Sequence, residues 1–409
     1  MSLLGSLRNT VIKIINKFNV DGVDYTIQPL LDPVPTEGSP LAVESGGVYP
    51  LVQKSDTPEE SSTKNFTAGG AWTYLKRIVN SLFNIIAWTQ GTGDNTSYNM
   101  QAVAYADGLW VACSLVRGMW WSTGGKSWTQ GTGVSTSYGM RAVAYANGLW
   151  VAGSSSYGMW WSTDGKSWTQ GTGDNTSYGM NAVAYADGLW VAACSSGHGM
   201  WWSTDGKSWT QGTGGNTSYN MEAVAYANGL WVAGGWNRGI WWSTDGKSWT
   251  QGTNYGINAV TYADGLWVAC SSGYGMWWST DGKSWTQGTG GNTSYGMRAV
   301  AYADGLWVAG SEYYGMWWST DGKAWTQGTG GNTSYGMNAV AYADGLWVAA
   351  CSSGHGMWWS TDGKSWTQGT GGNTSYNMQA VAYANGLWVA GSYGHGIWYW
   401  PVPVPVIFD

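Results

Sequence analysis

Apolar and polar positions alternate along most of this chain in short blocks that recur. A run such as Ala102–Ala106 (AVAYA) is followed by Asp-Gly or Asn-Gly, then Leu-Trp-Val-Ala and a variable stretch. Gly-Met-Trp-Trp-Ser, the turn Thr-Asp-Gly-Lys and Ser-Trp-Thr-Gln-Gly-Thr complete the unit. Short runs rich in Val, Trp and Tyr between Gly-bearing pairs read as β-strands. Asp-Gly or Asn-Gly between two such runs signals a hairpin, because both central positions of the tight turn need φ > 0. Anchored on the tryptophan of Gly-Leu-Trp-Val-Ala, the unit recurs at Trp110, Trp150, Trp190, Trp231, Trp267, Trp307, Trp347 and Trp388, spaced 40, 40, 41, 36, 40, 40 and 41 residues apart. Four strands per copy at this period, with no 3.6-residue spacing, predict an all-β fold: an eight-bladed β-propeller of four-stranded antiparallel blades over residues 87–400.

The ends of the repeat predict how the ring closes. The last copy stops at Gly396–Trp400 (GIWYW) without its turn and fourth strand, and an orphan AWTQGT at Ala87–Thr92 precedes the first copy. Joined, the two make one blade, so the N-terminal strand closes the ring and removes its open edge.

Composition sharpens this picture. Only 10% of the 409 residues are charged, against 34 Trp, 25 Tyr and 64 Gly, so aromatic surface supplies the core of a glycine-punctuated fold. Each buried Trp removes on the order of 200 Å² from water, roughly 5 kcal/mol gross before chain entropy. A net charge of −6 disfavours a phosphate-backbone partner, whose binding rests on clustered Lys and Arg, so no nucleic acid is expected.

The stretch Ser162–Trp168 (STDGKSW) and its copies resemble the Asp-box of sialidase-like and other bacterial propellers, one residue shorter than the usual Ser-x-Asp-x-Gly-x-Thr-Trp. The resemblance implies that the box folds the hairpin between the third and outer strands, its Asp accepting turn hydrogen bonds and its Trp packing between blades. In the first copy Gly124 replaces the Asp, and that turn is expected to be the weakest. The resemblance carries no implication of catalysis.

Differences among the copies concentrate in two windows. One is the residue before Ala-Val-Ala-Tyr: Gln101, Arg141, Asn181, Glu222, Asn258, Arg298, Asn338 and Gln379. The other is the linker between Trp-Val-Ala and Gly-Met-Trp-Trp, which contributes Arg117, Tyr157, His198, Trp236, Arg238, Tyr274, Glu312, Tyr313, Tyr314, His355, Tyr393 and His395. In an up-and-down meander alternate connections share a face, so both windows are expected on one rim and the Asp-Gly turns on the other. A rigid scaffold with one diversified rim reads as a recognition surface. Glu222 is expected to pair with Arg238, and Arg298 with Glu312, within their own blades. Aromatic faces among Asn, Gln and His suit sugar C–H surfaces and hydroxyls, and a protein partner would use the same aromatics. Cys113, Cys194, Cys270 and Cys351 fall in alternate blades, and the third and seventh copies share ACSSGH, which points to duplication of a four-blade half.

Catalytic and metal chemistry find little support. The rim arginines Arg117, Arg141, Arg238 and Arg298 are not matched by a carboxylate pair at glycosidase spacing, so no enzyme is expected. Cys194 with His198 and Cys351 with His355 have ligand-like spacing, but the two pairs lie in opposite blades and cannot join in one four-ligand site. Small buried thiols are the expected reading, with no disulfide, metal or cofactor.

The first 70 residues read as a separate region. Apolar positions from Leu3 to Phe18 fit a short amphipathic helix, with no unbroken apolar core for a signal peptide and no segment anywhere long enough to span a membrane. Pro35–Val52 (PTEGSPLAVESGGVYPLV) resembles a segment of tailed-phage fibre and minor virion proteins, carried by Gly38, Ser39, Val43, Ser45, Gly46, Gly47, Val48 and Tyr49. The resemblance implies virion attachment or a shaft. Ser55–Gly70 is a polar linker, and residues 71–86 predict a connecting helix whose stripe of Leu75, Ile78, Leu82 and Ile85 suits either a homotrimer or a helix packed beneath the propeller. Residues 401–409 (PVPVPVIFD) predict an extended tail. The resulting expectation is a phage virion fibre or receptor-binding protein whose rim binds a host cell-surface glycan or surface protein and whose N-terminal region joins other virion proteins. A virion decoration or connector protein and a bacterial lectin or adhesin are the alternatives.

Overall fold

The computed structural model describes residues 87–401, except Asn95, 134–137, Asn175, Ser196, Asn216, Asn237, Asn292, Asn332 and Ser353, together with the backbone of three strands within the first 54 residues. The chain divides into two compact units, Ile86–Val402 and Met1–Ile85 with Pro403–Asp409.

In the N-terminal unit Lys17–Val20, Val23–Gln28 and Leu51–Lys54 pair in that order as an antiparallel sheet. Lys17 and Phe18 thus belong to a strand, not to the expected helix. Val23, Tyr25 and Ile27 alternate strictly with polar residues, and Val20 pairs Val23 across Asp21-Gly22, a hairpin signal the helical reading passed over. The expectations for residues 1–16, the virion-like segment up to Pro50, the linker 55–70, the helix 71–86 and the tail 402–409 lie outside the described residues.

The larger unit is an eight-bladed β-propeller. A representative blade, the third, runs Met180–Ala186, Leu189–Cys194, Met200–Ser203 and Ser208–Gln211, each strand antiparallel to the last. First strands of successive blades adjoin around the axis. The eighth blade takes its first three strands from Met378–Ala384, Leu387–Ser392 and Ile397–Pro401 and its outermost from Thr89–Gln90, with Thr89 opposite Tyr399 and Gln90 opposite Trp398. The N-terminal strand therefore closes the ring. Pro401 sits at the end of its strand, opposite Leu387.

The two Gly-bearing turns are built differently. At the Asp-Gly and Asn-Gly turns both residues take positive φ, as at Asp187 (49°) and Gly188 (74°). In Thr-Asp-Gly-Lys only the glycine does, as at Gly165 (68°), so this is not the two-residue turn the dipeptide predicts. Asp164 Oδ1 instead accepts the amides of Lys166 and Ser167 at 2.8 and 2.7 Å and the Ser162 hydroxyl at 2.8 Å. The Ser162 Oγ accepts the Gly165 amide, and Trp168 Nε1 donates to the Gly165 carbonyl. A carboxylate acting as a local backbone acceptor replaces the turn's own ladder.

Core layers lie between blades rather than within them. Leu109, Val111, Cys113 and Met119 of blade 1 pack on Met140, Trp150, Ala152, Trp160 and Trp168 of blade 2, and the same set recurs round the ring. The box lysine extends this packing: Lys207 Nζ sits 4.4 Å from the ring centroid of Trp161 in the preceding blade, and five further Lys–Trp pairs repeat it at 4.3–4.6 Å. Five blades gain a short fifth strand from the preceding blade, as where Thr172–Gly173 runs parallel to Ser208–Trp209. Gly173 has φ 113°, and a Cβ there would stand 2.2 Å from the Trp209 carbonyl oxygen, which explains the glycine of Gln-Gly-Thr-Gly. All four cysteines are buried in the core, and burial pushes the Cys113 and Cys270 thiols up. Among the described residues no helix is long and apolar enough to cross a membrane.

Candidate functional site

The connection entering each blade and the loop between its second and third strands meet on one rim, and both variable windows lie there. Three constant residues hold them. The glutamine ending each outer strand donates Nε2 to the carbonyl of the last residue of the variable loop, at 2.7–3.0 Å in all eight blades. In most blades it also reaches the threonine carbonyl of the next connection, as from Gln170 to Thr176. Gln90, on the closing strand, does this for His395 and Thr96. The tyrosine of Thr-Ser-Tyr packs at a tilt on the first tryptophan of Trp-Trp, with centroids 5.6–6.1 Å apart in seven blades; in blade 5, Tyr255 stacks on Trp277 at 4.5 Å.

That tyrosine is a platform for the last variable residue. Tyr157, His198, Tyr314, His355 and His395 stack on Tyr138, Tyr178, Tyr295, Tyr335 and Tyr376 with centroids 3.6–3.8 Å apart. Tyr274 meets Tyr255 at a tilt, and the guanidinium carbons of Arg117 and Arg238 lie 5.4 and 4.9 Å from the centroids of Tyr98 and Tyr219. Eight predicted rim residues are thus caps on a constant aromatic pair, each offering solvent only what the stack leaves open. His198 and His355 stack while Cys194 and Cys351 are buried in the core, which parts each Cys–His spacing. The two positions before the cap are freer: Trp236 is 56% exposed, Tyr313 63% and Tyr393 52%.

The first window forms a ring at the mouth of the axis. Arg141 Nη1 donates to Asn181 Oδ1 at 2.6 Å, and Asn181 Nδ2 donates to Glu222 Oε2 at 2.7 Å. Four blades on, Arg298 Nη1 donates to Asn338 Oδ1 at 2.6 Å, and Arg298 Nη2 to Glu312 Oε1 at 2.7 Å. Asn258 and Asn338 donate to the Met297 and Met378 carbonyls, and Gln101 and Gln379 are half-buried at the corresponding places. The expected Arg298–Glu312 pair is present. The expected Glu222–Arg238 pair is not: Glu222 turns along the ring to Asn181, and Arg238 turns outward onto Tyr219. Their blade puts Trp236 where blade 6 has Glu312 and places Arg238 at the cap, so the loop position that faces the mouth residue holds no cation for Glu222. Burial pushes the Glu222 carboxyl up, and the Arg141 guanidinium pulls the other way.

The opposite rim carries a different ring. The inner-strand tyrosine of each blade bonds the Asp or Asn turn of the blade before it, from Tyr145 to Asp107 at 3.3 Å round to Asn385 and Tyr105 at 2.6 Å, so eight links close the circle. These bonds tie blades together and leave this rim uniform.

No protein family and no characterised protein matches the chain by sequence. Solved structures match the propeller. The computationally designed Ika8 protein is 11% identical with a TM-score of 0.62, over 77% of this chain and 99% of its own. Sqt1 of Saccharomyces cerevisiae is 8% identical with a TM-score of 0.62, over 78% and 100%. YCF48 bound to D1 peptide is 13% identical with a TM-score of 0.50, over 78% and 96%. At these identities the likeness is one of fold.

Proposed function

We propose that this chain is the recognition protein of a virion, a fibre or receptor-binding component whose propeller rim binds a host cell-surface glycan without turning it over. The observation that carries the reading is the sorting of change: the copies vary mainly on one rim, where constant Gln, Tyr and Trp hold the loops, while the other rim repeats an interblade ring. Exposed Trp236, Tyr313 and Tyr393 supply flat faces for sugar C–H surfaces, and the mouth amides and guanidinia supply partners for hydroxyls and acids. The N-terminal region, with its virion-like segment, makes the attachment to other virion proteins. A peptide or protein ligand is the second reading, favoured by the peptide bound to the YCF48 propeller. The test is a glycan array probed with the full chain. The expected result is a restricted set of retained glycans, lost in Trp236→Ala and Tyr313→Ala at unchanged melting temperature. An empty array, or turnover of a retained glycan, overturns the reading. Immunogold labelling of purified particles tests the virion location, and unlabelled particles overturn it.

A further inference from the structure

The two arginines of the mouth ring hold equivalent positions, and the charges around them differ in two places, Ser155 against Glu312 and Glu222 against Gln379. Arg141 and Arg298 hold the same strand position in blades 2 and 6, and each bonds the asparagine of the next blade at 2.6 Å. Arg298 has a further partner, Glu312 at 2.7 Å, in the one ion pair found among the described residues. Ser155 holds the place of Glu312 in blade 2. Both residues follow the serine that ends the second strand, and both amides bond the carbonyl of the glycine before the inner strand, Gly139 or Gly296, at 2.7 Å. Ser155 Oγ and Glu312 Oε2 lie 2.6 and 2.7 Å from where a Cβ on that glycine would stand, so the two side chains start along the same path. Serine has no carboxylate to offer, so Arg141 receives none from its own loop and feels only that of Glu222, two blades on. Arg141 is exposed, and Arg298 is half-buried beside Glu312.

We propose that blade 2 takes a carboxylate from the ligand at the place where blade 6 carries its own, with Arg141 as the anion-binding residue. This inference rests on the glycan reading of the rim and narrows it to acidic saccharides, of which a uronic acid is the simplest. The ligand carboxylate accepts from Arg141 Nη2 while Asn181 keeps Nη1, the division of labour seen at Arg298. Tyr157, stacked by one face on Tyr138 and 42% exposed, offers its other face to the sugar ring. Glu222, which accepts from Asn181, opposes an arriving anion, and blade 8 carries neutral Gln379 in the corresponding position.

The test is calorimetric titration of the full chain with digalacturonate and with its methyl ester, which keeps the rings and removes the charge. The acid is expected to bind at one site, and the ester roughly ten- to a hundredfold more weakly. Ser155→Glu, which installs the carboxylate of blade 6, is expected to weaken the acid by a similar factor. Glu312→Ser, which clears the equivalent place, raises the stoichiometry from one site to two, and Glu222→Gln tightens binding. Melting temperatures confirm that each variant is folded. Equal affinity for acid and ester, or indifference to Ser155→Glu, overturns the carboxylate site while leaving a glycan-binding rim intact. Binding of N-acetylglutamate that depends on Arg141, with an empty glycan array, keeps the site and overturns the glycan reading. Binding of neither digalacturonate nor N-acetylglutamate overturns the site, and the array then decides the rim reading alone.

Discussion

Blade 1 lacks the box carboxylate and so allows its contribution to be added rather than removed. In blade 3 Asp205 Oδ1 accepts the amides of Lys207 and Ser208 at 2.8 and 2.7 Å and the Ser203 hydroxyl at 2.8 Å. Blade 1 keeps the rest of the box: Ser122 Oγ accepts the Gly125 amide at 2.8 Å, and Trp128 Nε1 donates to the Gly125 carbonyl at 3.1 Å. Gly124 does not have positive φ, and a Cβ built on it meets nothing within 4 Å, so the site accepts a side chain without strain. Gly124→Asp should stabilise the hairpin twice over. Restricting the unfolded chain contributes about 0.4–1 kcal/mol, and two amide bonds to the carboxylate on an exposed turn contribute about 1 kcal/mol each. A total of roughly 2–3 kcal/mol slows local opening by about thirtyfold or more, read as amide exchange at Lys126 and Ser127. Gly124→Ala supplies the first contribution alone. The gain also has a pH signature. In the intact boxes burial raises the carboxyl, but the bonds from the Ser167 and Lys166 amides outweigh it and hold Asp164 below its ordinary value. A depressed folded value gives stability that is complete above the unfolded value near 4 and is lost as pH falls through the folded one. Equal protection in Gly124→Ala and Gly124→Asp, or a gain that survives strong acid, would refute the account.

Other consequences can be checked in the same way. Gly173→Ala drives a Cβ to 2.2 Å from the Trp209 carbonyl oxygen and should cost at least about 2 kcal/mol, seen as a lower melting temperature; an unchanged value contradicts the parallel seam. Gln170→Ala frees the Tyr157 and Thr176 carbonyls and should speed exchange in those two loops while the strands of blade 2 stay protected. On the uniform rim, burial and then the Asp304 bond raise the Tyr342 phenol, as burial and the Asp344 bond raise Tyr383. A raised folded value gives stability that is complete below about pH 10 and is lost as pH rises through the folded value. An absorbance titration should show phenols ionising late, and Tyr342→Phe with Tyr383→Phe should remove them.

The fold was legible in the chain because each blade spells its own turns. Asp-Gly and Asn-Gly marked the first hairpin, the box marked the second, and the unmatched fragments at Ala87 and Trp400 marked the closure. The site was legible as a face and misread in its contacts. Glu222 and Arg238 looked like partners because opposite charges in one blade suggest pairing, but Glu222 accepts from Asn181 of the preceding blade and Arg238 lies on Tyr219 as a cap. The Gln braces and Tyr platforms were missed although both residues recur in every copy. Constancy of an exposed polar or aromatic residue across repeats was the available signal, and it was absorbed into the scaffold. The N-terminal strands escaped because the apolar residues up to Phe18 fit a helical period until Val20-Asp21-Gly22-Val23 is weighed.

Comparison of the copies shows which rim positions change without disturbing the scaffold. Blades 1, 5 and 8 lack the fifth strand and have outer strands of two residues, Thr129–Gln130, Thr286–Gln287 and Thr89–Gln90, with a single parallel bridge at Thr92–Ser127 in blade 1 and at Trp88–Gly371 in blade 8. The caps stay within a narrow class: every cap is Tyr, His or Arg, a planar group able to lie on the constant tyrosine. Blades 2 and 6 share a Tyr cap yet differ at the two positions before it, Ser155-Ser156 against Glu312-Tyr313. Neither of those positions stacks on the platform, so each changes without cost to the scaffold. On the proposed reading, specificity resides in these uncapped positions and in the mouth ring they overlook, while the caps set the height and rigidity of the surface on which a ligand would land.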